Sequence, residues 1–218
     1  MAGLIIVGVG PGLGTSVARR FAREGLGVSL VARRPTTLTS ATGALSPYDV
    51  PVAAYPADAG RPEQLEGALA AAVADHGVPD VVVYNAAIIR ADVPGELSPD
   101  ELAETWAVNV SGILVTAMAT IPAMQERGQG TFLVTGGMPR PIPSHVSLSL
   151  GKVGARAVVS MLAEQFGPSG VHVATVTVAD EIVPDTSYDP DLIAEHYWRL
   201  HGQQPGAWET EYLYDGLP

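Results

Sequence analysis

Residues 4–14 read LIIVGVGPGLG, and the fold turns on how that stretch is read. Leu4–Gly8 is an apolar, β-branched run of the kind that forms a strand buried on both faces. It breaks into Gly8-x-x-x-Gly12-x-Gly14, which suits a tight turn into a helix. The N–H groups at such a helix start are free and carry partial positive charge, so they favour a phosphate. Glycine is required because the turn is sharp and because a Cβ would keep the backbone away from a pyrophosphate. Pro11 removes only one donor. A glycine triplet by itself also fits a plain tight turn, and the rest of the chain has to decide.

Working outward, strand and helix patterns alternate. Thr15–Glu24 reads as a helix with Val17, Ala18, Phe21 and Ala22 on one side, stopped by Gly25–Gly27. Val28–Ala32 is a second strand, residues 35–51 read as irregular, and Val52–Tyr55 is a third strand. Pro62–His76 is an alanine-rich helix and Asp80–Tyr84 a fourth strand. Ser98-Pro99-Asp100-Glu101 combines a serine cap, a first-turn proline and acids at the positive helix end, and opens a run to Met124. Thr131–Thr135 and Val171–Val178 are strands on either side of a helix from Ser144 to Phe166. Pro190–His201 is a last helix and Glu211–Tyr214 a short edge strand. This order predicts an α/β fold: a single Rossmann-like, doubly wound parallel sheet with helices on both faces. One NAD(P)-binding domain is expected over residues 1–218, with 184–218 as a short C-terminal lid or interface segment. Ligands in such sheets bind beyond the carboxyl ends of the strands. Gly8–Gly14, Arg33, Asp58, Asn85, Thr135 and Val178–Glu181 all follow strands.

Composition narrows the partners. The chain has 218 residues, 47% hydrophobic, enough for a sizeable core. Charged residues are only 16%, which suggests surface buried against another copy. A net charge of −11 opposes polyanions, so neither nucleic acid nor a membrane is an expected partner. There is no cysteine, hence no disulfide or thiolate zinc site. The His196-Tyr197-Trp198 cluster with His201 completes no ligand set, and no metal is expected. Residues 1–14 lack a basic leader pattern and no segment approaches 18 uninterrupted apolar residues, so a cytoplasmic protein is expected.

Gly8-x-x-x-Gly12-x-Gly14, Asp58, Asn85-Ala86-Ala87, Asn109 and Lys152 occur in an order and spacing that resembles the short-chain dehydrogenase/reductase family over residues 3–183. The resemblance implies that Gly8, Gly12, Leu13 and Gly14 line the pyrophosphate of a dinucleotide. It implies that Asp58 meets the adenine amino group with Ala59 beside it, and that Asn85 and Ala86 form the family's Asn-Ala-Gly turn, with Ala87 in place of glycine. Asn109 would hold a water that supports Lys152, and Lys152 would bind the nicotinamide ribose. The second strand ends in Arg33-Arg34 with no acid, which favours the 2′-phosphate of NADP over NAD; a solvated arginine pair is the plain alternative.

The pattern then breaks. The family's proton-donating tyrosine stands four residues before the lysine, and here that residue is Leu148. Val134-Thr135-Gly136-Gly137 stands where the family commonly has two serines. His145, at the start of the same helix, has a side chain suited to proton transfer near neutrality. Asp180 and Glu181 stand where the family often has Pro-Gly; a carboxylate there would favour an oxidised, positive nicotinamide ring, and solvated loop acids are the plain alternative. A residue of the C-terminal segment, His196, Tyr197 or Tyr188, is a further candidate acid. The expected function is an NADP-dependent oxidoreductase acting on a small carbonyl, alcohol or imine with a non-standard proton donor. A non-redox isomerase, cyclase or lyase on the same fold, or a catalytically silent NADP-binding protein, are the alternatives. A homodimer or homotetramer through the helices at 99–124 and 144–166 is what the resemblance implies.

Overall fold

The computed structural model describes residues 3–217. Seven strands form one parallel sheet in the order β3-β2-β1-β4-β5-β6-β7. Their ranges are β1 Gly3–Val7, β2 Gly27–Ala32, β3 Val52–Pro56, β4 Val81–Tyr84, β5 Gly130–Gly137, β6 Val171–Val178 and β7 Glu211–Tyr214. Helices α1 (Leu13–Ala22), α2 (Pro35–Ala44) and α7 (Pro190–His201) cover one face of the sheet. Helices α3 (Pro62–His76), α5 (Gly112–Arg127) and α6 (Val146–Phe166) cover the other. The sheet therefore separates two cores. Ile6, Leu30 and Val83 face Phe21 and Tyr197 on one side, while Ile5, Val31 and Val82 face Leu65, Ile113 and Val158 on the other. This is the doubly wound architecture expected from the alternation of elements.

The expected irregular stretch after β2 is corrected by the structure, because α2 occupies Pro35–Ala44. Its sequence, PTTLTSATGA, has poor intrinsic helix propensity and no broad apolar stripe, which hid it. Pro35 supplies the first-turn signal, and burial of Leu38 and Ala41, three residues apart, completes it. The helix opening at Ser98 forms with a full capping box to Glu101. It runs as α4 (Pro99–Trp106) into a π-helical turn, Ala107–Ser111, before α5. That widened turn lies where Gly151 of α6 presses on Asn109: a Cβ at Gly151 would lie 2.7 Å from the Asn109 Cβ. Helices α4–α5 and α6 with its short extension are long and apolar enough to cross a membrane by composition, yet about half of each apolar stretch is buried inside the protein. Helix α7 lies along α1, tied by Arg19–Asp191 and Arg20–Glu195 ion pairs at 2.6 Å and by Phe21 edge-on to Trp198. Strand β7 extends the sheet beside β6.

Candidate active site

Strand β1 has β2 on one side and β4 on the other, so the connections that leave β1 and β4 part to opposite sides and open a crevice between them. A cleft of about 1060 Å³ lies there, lined by the ends of β1, β2, β4, β5 and β6. Gly8 is where the turn becomes possible. Its φ is +87°, and a Cβ there would overlap the backbone of Ala86 after β4. Its N–H donates to Val31 O at 2.8 Å, and its carbonyl accepts from Asn85 Nδ2 at 2.8 Å. The loop is closed by the Thr15 hydroxyl donating to Gly10 O at 2.6 Å. At Gly10 and Gly12 a Cβ would meet nothing within 4 Å. No side chain caps α1 and its first turn holds no acid. Backbone amides therefore meet open space at a positive helix end, a cradle that fits a diphosphate. Leu13 and Gly14 are buried at the head of α1, with Leu13 among the lining residues.

At one end of the cleft stand Arg33, Arg34, Thr37, Asp58 and Ala59. Asp58 accepts from Gly60 N at 2.9 Å through one oxygen, and the other lies 3.9 Å from Arg33 Nη1. The start of α2 has no side-chain cap and no acid in its first turn. The guanidinium of Arg33 and this helix start thus converge on one corner of the cleft. Thr37 and the α2 terminus were missed by the sequence reading, although Pro35 after Arg34 was the signal for them.

The other end is built from Asn85, Thr135, Gly137, Met138, Leu148, Lys152, Asp180 and Glu181, with His145 near the rim. Lys152 is buried and its Nζ donates to Thr135 O at 2.7 Å. Burial, and then the Arg156 charge, push its ammonium down to about 8. Leu148 lies against the same cleft and offers no polar atom. Thr135 is the one hydroxyl residue lining this end, and its hydroxyl donates to Asn85 Oδ1 at 2.8 Å. Tyr197 reaches the same Thr135 oxygen at 2.7 Å from beneath the sheet, fully buried, and burial pushes its phenol up. Asn109, in the π-helical turn, packs against Gly151 of α6. Its Oδ1 accepts from Ile88 N at 2.8 Å and its Nδ2 donates to Ile88 O at 3.1 Å, which fixes the segment after β4. His145 precedes α6, with Nδ1 3.2 Å from Ser144 Oγ. That helix is capped from a distance by Asp92, whose carboxylate accepts from Ser147 N at 3.0 Å and from the Ser147 hydroxyl. Partial burial alone would raise the Asp92 carboxyl, but those bonds and Arg90 outweigh it and hold it low. Nothing in the sequence spacing pointed to Asp92, because its partner is 55 residues away.

Known proteins share this fold. A family model described as short chain dehydrogenase matches residues 3–180. The chain belongs to the short-chain dehydrogenase family. Among curated relatives, the glycine betaine reductase ATRR of Emericella nidulans is 35% identical over 126 residues, 58% of this chain and 10% of that protein. Dehydrogenase/reductase SDR family member 4 of Bos taurus is 28% identical over 206 residues, 91% of this chain and 68% of that protein. The chain thus spans a small part of the first relative and about two thirds of the second. A solved metagenomic short-chain oxidoreductase in complex with NADP shares the fold with a TM-score of 0.87 at 22% identity, over 97% of this chain and 96% of that one. The family is one of oxidoreductases that bind NAD(P).

Proposed function

We propose that this short-chain dehydrogenase is an NADP-dependent oxidoreductase that interconverts a small carbonyl or imine compound with its alcohol or amine, using a non-standard proton donor. The observation that carries the reading is the cleft itself: a diphosphate cradle at Gly8–Gly14 lies between an arginine-bearing corner at Arg33 and a buried amine at Lys152. When bound, the nicotinamide supplies or accepts the hydride. Gly8, Gly12, Leu13, Gly14 and the amides of α1 hold the diphosphate. Asp58, Ala59, Asn85 and Ala86 line the adenosine side and the floor, and Lys152 takes the ribose hydroxyls. Arg33 and the head of α2 provide paired donors and positive charge for a 2′-phosphate. Leu148, Gly136 and Gly137 carry no proton, and the Thr135 proton is committed to Asn85. His145 or water serves as the proton donor in this reading, and Asp180 and Glu181 bring negative charge to the same cleft. Calorimetric titration with NADPH and NADH, followed by NADPH consumption across a panel of ketones, aldehydes and cyclic imines, tests the reading. Absence of uptake of either nucleotide refutes it.

The lack of any free hydroxyl at the substrate end favours a second reading, a nucleotide-binding protein without redox turnover; tight NADPH binding with no consumption in that panel would select it. We also propose that the chain pairs with itself through α4–α5 and α6. Trp106, Met118, Leu150, Val153 and Met161 leave apolar surface exposed on the outer sides of those helices. Light scattering that finds only a monomer removes this part.

A further inference from the structure

Lys152 is the only lysine among the 218 residues. One turn further along α6 stands Arg156, and the two cations share a helix face without a carboxylate between them. Both turn to carbonyls along one stretch of chain, the C-terminal end of β5 and the residue after it. Lys152 donates to Thr135 O, while the two ends of the Arg156 fork donate to Gly137 O at 2.9 Å and Met138 O at 3.2 Å. Those two carbonyls flank a strained point, because Met138 has φ +47°, in the left-handed region that side chains avoid. Met138 and Gly137 both line the cleft. A planar guanidinium that bonds the carbonyls on both sides of the Met138 Cα holds the chain in that turn in a way that a single ammonium cannot.

We infer that Arg156 is a positioning residue of the cleft: its fork fixes the Gly137–Met138 turn that walls the substrate end, and its charge opposes a second positive charge on the Lys152 amine. Burial and the Arg156 charge are the two influences that act on Lys152. The other charged or titratable groups at this end are Arg140 and His145 in the β5–α6 connection and Asp180 and Glu181 after β6. The π turn contributes neutral Asn109, and β4 contributes Tyr84, whose hydroxyl donates to Val108 O. Burial first, and the Arg156 charge second, lower the amine to about 8, so Arg156 contributes to how much of it is charged when a ribose or a phosphate arrives. The functional consequence rests on the cleft being a nucleotide site; the effect on Lys152 does not.

The single lysine makes the test direct. Protein made with lysine labelled at the ε-carbon gives one resonance, identified by its loss in Lys152→Arg, and its shift is followed in the nucleotide-free protein between about pH 6 and about pH 11. The wild-type midpoint is expected at about 8. In Arg156→Gln it moves upward by roughly half a pH unit or more, whereas Arg156→Lys, which keeps the charge and adds a separately assigned signal, holds it near the wild-type value. A midpoint that Arg156→Gln leaves in place overturns the inference, as does a wild-type midpoint at the ordinary lysine value. If Arg156→Gln does not fold, a midpoint in Arg156→Lys raised to the ordinary lysine value has the same force. NADPH affinity is then measured against pH: it weakens above about 8 in the wild type and at higher pH in Arg156→Gln. If no nucleotide binds to any variant, the functional reading fails while the titration still decides the role of Arg156.

Discussion

The hydroxyl of Tyr197 lies 2.7 Å from Oγ1 of Thr135, and the partners around this pair fix the direction of every proton. Asn85 Nδ2 faces Gly8 O, so Asn85 Oδ1 faces Thr135 and takes its proton. Tyr197 must then be the donor to Thr135. Helix α7 is thereby linked through three side-chain and backbone bonds to the glycine turn after β1. Tyr197→Phe leaves one acceptor short of a partner and is expected to lower stability by about 1 kcal/mol. Thr135→Val orphans both Asn85 Oδ1 and the tyrosine hydroxyl and is expected to cost roughly 2–3 kcal/mol. Denaturant unfolding of both variants, read as midpoints at constant slope, checks the ranking.

Lys152 holds its position at the expense of stability. Its folded-state value of about 8 lies below the ordinary 10.5, so the fold binds its proton less well than the unfolded chain does. The cost is complete below pH 8 and disappears as pH climbs from about 8 to 10.5, so this group makes stability rise with pH in that window. Lys152→Met removes the buried charge and is expected to stabilise the protein at pH 7 by roughly 1–3 kcal/mol, with a flatter alkaline profile. Thermal melts between pH 7 and pH 10 would contradict this if the variant melted lower throughout.

The missing hydroxyls can be restored by substitution. A Cβ at Gly137 would lie 3.6 Å from its nearest neighbour, Lys152 Cε, which is ordinary contact, and Leu148 already faces the cleft four residues before Lys152. Leu148→Tyr combined with Gly137→Ser should raise the rate of ketone reduction by about 10²–10⁴-fold, the usual worth of a placed acid. Gly136 is the wrong position for the serine, since any side chain there runs into Thr177. Steady-state rates of the double variant against each single variant decide the point.

Cofactor choice is predicted to rest on Arg33. Its side chain is 56% exposed and only loosely paired with Asp58 at 3.9 Å, so it is available to a phosphate. Arg33→Glu should weaken NADPH binding by roughly 10- to 100-fold, the loss of one charge-assisted pair, while NADH binding holds or improves. Equal losses for both nucleotides would show that the arginine supports the cleft rather than reads the 2′ position.

Much of this was legible because the signals were local. The apolar run before Gly8, the serine, proline and acids at Ser98–Glu101, and the glycine after His76 each name a strand or a helix end through the chemistry of a few adjacent residues. Where the local signal was weak the reading failed: the threonine-rich α2 forms because Leu38 and Ala41 find the sheet, which no window of sequence contains. Asp92 shows the same limit at the site, since the Ser147 it caps lies 55 residues away.

By itself the sequence determined every strand, the helices with strong local signals, the glycine turn after β1 and the basic end of β2. Those depend on periodicity, on glycine's freedom at positive φ and on which groups can ionise, all properties of short stretches. Only the tertiary structure decided that Thr135 gives its proton to Asn85, that Tyr197 lies beneath the sheet, and that Arg156 and Lys152 share the end of β5. These are contacts between segments distant in the chain, and burial sets their strength, because removing water is what makes one unpaired proton or one neighbouring charge matter.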